Sequence, residues 1–112
     1  MFQEVKDTLP ISGDDYDAQI IREIKACALD LTTSAEIRLP GTIIITRDST
    51  TGNVTDNSTL TDELIITAIS VWCNMRIGNP PNYDNLLKAY ESLKGQLRLS
   101  KTYSHYGEAD EA

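Results

Sequence analysis

Two consecutive prolines, Pro80 and Pro81, divide the longest apolar part of this chain and limit what it can fold into. Proline lacks a backbone N–H and disfavours a helical conformation in the residue before it, so one helix cannot run through the pair. Apolar residues recur at helical spacing on both sides, and Gly78 stands where glycine commonly ends a helix. The stretch from Leu60 to Leu99 therefore predicts two helices joined by a tight corner.

The first of these helices, predicted over residues 61–77, is apolar on more than one side. Thr59 and Asp62 can cap its start, and Glu63 favours its N-terminus through the helix dipole. Its apolar positions are too many for one stripe: Leu64, Ile65, Ile66, Ala68, Ile69, Val71, Trp72, Met75 and Ile77. A helix of this kind is either central in a bundle or buried at a subunit contact, and both alternatives stay open here.

The second helix, predicted over residues 83–99, carries a single apolar stripe. Asn82 is its candidate N-cap. The stripe residues recur at spacings of four, three and four: Leu86, Tyr90, Leu93 and Leu97. A stripe of this length is more typical of packing within one chain than of a coiled coil. The two helices are expected to form an antiparallel helical hairpin.

Two further helices are predicted in the N-terminal third. A short one covers residues 2–9 and is ended by Pro10. A longer one covers residues 14–32, with Ser12 as its cap and a run of aspartates in its first turn. A calcium-binding loop would need alternating oxygen ligands closed by a bidentate glutamate, and the aspartate run lacks this spacing. The predicted fold is therefore mainly α, a small bundle of three longer helices with a short N-terminal one.

A β-hairpin is predicted at about residues 42–55, as an insertion over residues 40–59 of a helical domain that spans 1–100. An isolated two-stranded hairpin is marginal in water, so this one either packs on the helices or meets a neighbouring subunit. Three consecutive isoleucines would make both faces of its first strand apolar. The candidate subunit-contact residues are Ile43, Ile44, Ile45, Arg47 and Arg76.

The segment 101–112 is polar and acidic, and we expect it to form a flexible tail. Tyr103 and Tyr106 lie three residues apart on either side of His105. Such an aromatic pair is typical of an anchor for a partner, which makes these three residues a candidate partner-binding site.

Charge and composition exclude several classes of function. The chain has 112 residues, which suits a single domain, and a formal net charge of −7. Binding to a phosphate backbone depends on clustered lysines and arginines, so a direct nucleic-acid partner is not expected. Neither a signal peptide nor a membrane-spanning run is found, which predicts a soluble protein made in the cytoplasm.

Residues that could carry chemistry are scarce. Cys27 and Cys73 each fall inside a predicted helix, and one histidine cannot complete a zinc site with them, so we interpret them as buried, reduced thiols. No nucleophile–base pair, glycine-rich phosphate loop or metalloprotease motif is present. The expectation is a protein without catalytic residues, metal or cofactor.

The segment from Ile66 to Tyr103 resembles a known family. It reads ITAISVWCNMRIGNPPNYDNLLKAYESLKGQLRLSKTY and is similar to the head–tail connector (adaptor) proteins of long-tailed bacteriophages and prophages. The resemblance extends more loosely over about Val5 to Tyr106 and is weak at residues 37–59. It implies a structural virion protein that forms a ring of about twelve copies beneath the portal. Such a ring would extend the DNA channel without sequence-specific DNA binding and would carry the stopper or tail.

Two other classes remain open on the sequence alone. One is a helical binding module or regulatory subunit unrelated to phages, which would use the stripe of residues 86–97 on a single partner. The other is a minor enzyme or a packaging factor that contacts DNA directly. A ring-sized assembly would favour the connector over the first, and steeply salt-dependent DNA binding would favour the last.

Overall fold

The computed structural model of the chain describes residues 1–11, 13–77 and 80–100. Over these residues it holds four helices and one antiparallel hairpin. Their bounds are α1 Phe2–Asp7, α2 Asp17–Thr33, β1 Ile45–Arg47, β2 Val54–Asp56, α3 Glu63–Arg76 and α4 Tyr83–Leu99. The prediction of a mainly α bundle with a short N-terminal helix and a hairpin is confirmed. None of these described helices has the length and apolar character needed to cross a membrane.

Helix α3 lies at the centre of the bundle and packs against α1, α2 and α4. Its buried residues occupy more than one face: Ile65, Ile66, Ala68, Ile69, Ser70, Cys73 and Met75. The first of the two alternatives for this helix, a central position in the bundle, is therefore confirmed. Its apolar character follows from having three helical neighbours.

The ends of α3 and α4 show which capping predictions hold. The Asp62 carboxylate accepts a hydrogen bond from the Ile65 N–H at 3.1 Å and caps α3. Thr59 does not cap this helix, because its hydroxyl accepts the Thr42 N–H at 2.8 Å inside the hairpin. Helix α3 consequently starts two residues later than predicted. Helix α4 has the predicted bounds, while Gly78 lies outside the described residues.

The start of α2 differs from the prediction. The helix begins at Asp17 rather than at residue 14, and the Asp17 N–H closes a turn on the Asp14 carbonyl at 3.2 Å. The predicted cap, Ser12, lies outside the described residues. Asp17 is buried, and its carboxylate pairs with Lys6 of α1 at 2.8 Å. This ion pair joins α1 to α2 and gives the buried carboxylate a partner of opposite charge.

The hairpin is shifted along the chain from its predicted position. Ile45 pairs with Asp56 and Arg47 with Val54, so regular pairing starts three residues after Thr42. The reason lies in the side chains of the returning segment. The Ile44 N–H donates to the Ser58 hydroxyl at 2.9 Å, as the Thr42 N–H does to Thr59. Side-chain oxygens thus replace some of the backbone acceptors that a regular pair of strands would use.

Two contacts hold the hairpin against the helices. Ile45 is 1 % exposed and belongs to the hydrophobic core. The Asp56 carboxylate accepts the Phe2 N–H at 2.7 Å, which joins β2 to the start of α1. A Cβ added to Gly41 would lie 2.7 Å from the Leu60 Cα, so glycine allows the two arms of this loop to approach closely. The hairpin is therefore packed within the chain on one face.

Asp56 should make this attachment depend on pH. Burial alone would raise the pKa of its carboxyl. Hydrogen bonds from Phe2 and Ser58 lower that pKa by a larger amount, so the net pKa lies below the ordinary 3.8. A carboxyl of this kind stabilises the fold above its ordinary pKa, and the stabilisation is lost as the pH falls through the folded-state value. We expect Asp56→Ala to lower the free energy of unfolding by about 1–3 kcal/mol at pH 7. Urea denaturation should show the difference from wild type shrinking below about pH 4.

The matched control for this variant is Asp15→Ala, which removes an exposed carboxylate from the turn before α2. Its effect should stay within about 0.5 kcal/mol. Equal losses in the two variants, or a loss from Asp56→Ala that does not change with pH, would contradict the role assigned to Asp56.

Candidate assembly surfaces

A buried tyrosine joins α4 to α2 across the edge of α3. Tyr90 is 2 % exposed, and its hydroxyl donates to the Asp30 carboxylate at 2.6 Å. The Lys94 ammonium lies 3.4 Å from the same carboxylate oxygen. The Cys27 thiol donates to the Tyr90 oxygen at 3.8 Å. Burial raises the pKa of the Tyr90 hydroxyl, so the residue stays neutral and remains a donor.

A second polar cluster lies beside it, between α2 and the end of α3. The Trp72 indole N–H donates to the Glu23 carboxylate at 3.1 Å, and the Arg76 Nε lies 3.6 Å from the same oxygen. The Arg76 guanidinium also lies over the Trp72 ring, 5.2 Å from its centroid. The Trp72 ring meets Tyr90 edge to face at 5.2 Å. The two clusters therefore form one continuous seam between three helices.

The thiols of the chain are held in the interior. Cys27 and Cys73 are both buried and unpaired with each other, as the sequence predicts. Burial raises the pKa of Cys27 to about 12, and it raises the pKa of Cys73 as well. Because the thiolate is the reactive form, neither side chain is suited to nucleophilic chemistry. In the described ranges no three His, Cys, Asp or Glu side chains cluster as metal ligands would.

The candidate subunit-contact residues fall into different environments. Ile45 lies in the core of its own chain, Ile43 is half-buried against that core, and Ile44 is 48 % exposed. Arg47 is exposed at the far end of β1. Arg76 is engaged with Glu23 and Trp72 but keeps half of its side chain exposed. Among the isoleucines, Ile44 is thus the one available to a neighbour.

The candidate tail residues Tyr103, His105 and Tyr106 lie outside the described residues. The structure instead shows exposed apolar side chains that the sequence analysis did not single out. Leu99, the last residue of α4, is 86 % exposed, and Leu29 on α2 is 63 % exposed. Both lie outside the apolar stripe of their helix. An apolar residue that does not fit the helical spacing of the stripe is the sequence signal that could have identified them.

An open groove of about 440 Å³ runs along α3, between α1 and the first half of α4. Its apolar lining comes from Ile66, Val71 and Leu86, and its acidic residues are Glu4 and Glu63. The remaining lining residues are small and polar: Thr8, Thr67, Ser70 and Asn74. Concave surfaces of this composition are typical of binding sites.

The fold and these surfaces define a small helical bundle with an open groove and a few exposed apolar side chains. A sequence model of the phage connector protein family matches residues 1–104, and the chain belongs to this family. It is accordingly a structural virion component that connects head and tail and assembles with other virion proteins such as portal or tail proteins. The family is a structural one, not known for enzymatic activity. The search of curated proteins and the search of solved structures returned no match.

The Tyr90 seam can be tested by removing one oxygen atom. Tyr90→Phe keeps the ring against Trp72 but leaves Asp30 without its 2.6 Å donor. A hydrogen bond to a charged partner contributes about 1.5–3 kcal/mol, and we expect a loss of that size in the free energy of unfolding. Tyr83→Phe, on the exposed first turn of α4, is the control and should change stability by less than about 0.5 kcal/mol. Equal melting temperatures for wild type and Tyr90→Phe would contradict the role of the seam.

Proposed function

We propose that the protein is a ring-forming adaptor at the head–tail interface of a phage virion. In this proposal it binds the portal, extends the DNA channel and provides the platform for the stopper or tail. The observation that carries the proposal is the match of the connector family over residues 1–104. Made in the cytoplasm of the host, the protein would join the virion during assembly.

The exposed features of the chain support a ring. Head-to-tail contacts that close into a ring need two different, complementary patches on each subunit. The described residues supply more than one candidate, namely Ile44 with Arg47 on the hairpin, Leu99 at the end of α4 and the groove along α3. Residues 1–100 would act as the ring-forming unit, with the hairpin of residues 40–59 as an insertion in it.

The charge of the chain supports a channel that DNA passes through. A formal net charge of −7 opposes tight binding to a phosphate backbone. A ring of such subunits would let DNA slide without sequence-specific contacts. The same charge keeps the isolated subunits soluble before they assemble.

The ring should be visible when the protein meets its portal. We expect native mass spectrometry of the chain mixed with portal rings to show a complex with about twelve added copies. The control omits the portal and reports the oligomeric state of the chain alone. A chain that stays monomeric beside the portal, or that binds duplex DNA with a steep salt dependence, would count against the adaptor.

The segment 101–112 is proposed to dock on the portal through Tyr103, His105 and Tyr106. Replacing both tyrosines by serine should abolish attachment to portal rings in a sedimentation assay, because the apolar area they bury is lost. Deleting residues 101–112 should have the same effect and leave the circular dichroism spectrum unchanged. Tyr83→Ser, which alters an exposed tyrosine on α4, is the matched control and should bind as wild type. Attachment that survives the deletion would show that the tail is not the anchor.

A further inference from the structure

We propose that Leu99 of one subunit inserts into the groove along α3 of the next subunit, with Arg98 beside Glu63 of that groove. The occupant of the groove is thus a second copy of this chain. This inference rests on the proposed ring and deepens it, because it assigns the two complementary patches that head-to-tail closure requires.

The groove offers an apolar site with acidic charge. Ile66, Val71 and Leu86 line it with aliphatic groups, and it extends over about 440 Å³. Glu63, in the first turn of α3, contributes a carboxylate to its lining. The carboxylate of Glu4 on α1 also lines the groove, but it pairs with the N-terminal ammonium at 3.2 Å, so Glu63 is the partner assigned to a positive charge. A ligand of this groove should therefore present an apolar side chain next to a positive charge.

The end of α4 has this composition. Leu99 is the most exposed of the large apolar residues described, at 86 %. As the last residue of the helix, it has no further helical turn beside it, and Arg98 directly precedes it in the last turn. Leu29, the next most exposed, lies within α2 and is flanked by helical turns on both sides.

The placement of the two patches favours a head-to-tail contact. Leu86 lines the groove, and Leu99 follows it by thirteen residues on the same helix, a rotation of about 140° around the axis at 100° per residue. The two side chains consequently point to different sides of α4, so the groove of a subunit does not receive its own Leu99. A contact between different patches of identical chains continues from copy to copy, and it closes when the rotation per step allows a ring.

Leu99 and Arg98 would contribute to this contact in different ways. Burying an exposed leucine side chain removes apolar surface from water, so Leu99 supplies affinity. Charges at the rim of an interface act mainly on association rate and on orientation. Arg98 opposite Glu63 would thus guide the leucine into the groove rather than hold it there.

Disulfide trapping tests the contact in the full-length protein on portal rings. Thr67 lines the groove and is exposed, so Leu99→Cys combined with Thr67→Cys places one thiol on each patch. Native Cys27 and Cys73 are buried and can remain in place. Mild oxidation with copper–phenanthroline should give a ladder of covalent oligomers on a non-reducing gel. The single variants should give at most dimers, since each carries one new thiol.

The matched control combines Leu29→Cys with Thr67→Cys and should give no ladder. A ladder from this control instead of the test pair would overturn the assignment of Leu99. Rings that form normally but yield no ladder from Leu99→Cys with Thr67→Cys would overturn the inference and leave the adaptor intact. The absence of any ring on the portal, with wild type or variants, would overturn the adaptor itself.

A charge exchange tests the orientation of Arg98. Arg98→Glu and Glu63→Arg should each raise the concentration needed for half-maximal ring assembly, by about three- to tenfold at low salt. The double variant should recover most of the wild-type value, because the pair is restored with reversed signs. Leu99→Ser should raise that concentration about tenfold or more. Full assembly by Leu99→Ser would overturn the inference, because the ring would then form without Leu99 in the groove.

Discussion

The fold depends on covering more than one face of α3. A fully buried isoleucine or methionine contributes about 1.5–3 kcal/mol relative to exposure, and α3 carries several such side chains on opposing faces. No single neighbour could bury them, so α1, α2 and α4 must all be in place. This requirement explains why a helix of only six residues, α1, belongs to the core through Phe2 and Val5.

The hydrophobic effect is non-directional, so it does not by itself fix how the helices are rotated against one another. The hydrogen bonds of the polar seam do fix that rotation. Tyr90 can reach Asp30 only if α4 has the correct rotation and height against α2, and Trp72 fixes α3 against Glu23 in the same way. An unsatisfied carboxylate or hydroxyl in this half-buried zone would cost about 1–3 kcal/mol. Alternative packings of the same apolar faces would leave these groups unpaired, so the seam selects one arrangement.

The sequence predicts the elements whose signals are local. Helix α4 has its predicted bounds because both of its signals are local. Pro81 lies just before its start, and an unbroken apolar stripe runs along its length. The predicted start of α2 is wrong by three residues, and Asp17, where the helix begins, is buried and paired with Lys6, a partner on another helix that no local pattern reveals. The hairpin register depends on the Ser58 and Thr59 hydroxyls, which periodicity does not reveal. For the same reason, periodicity does not reveal which of the three consecutive isoleucines is buried. The structure places Ile45 in the core and leaves Ile44 exposed.

The surfaces proposed for assembly are small, and their size has a consequence for how a ring would form. A single leucine in a groove, with one charge pair at its rim, buries far less than the roughly 1,200–2,000 Å² of a stable interface. Two free subunits joined only in this way would separate readily. Subunits held side by side on a portal meet at a high effective concentration, which can raise the combined affinity by about 10²–10⁴ without any new contact. Weak lateral contacts would therefore restrict ring assembly to the site where the ring is needed.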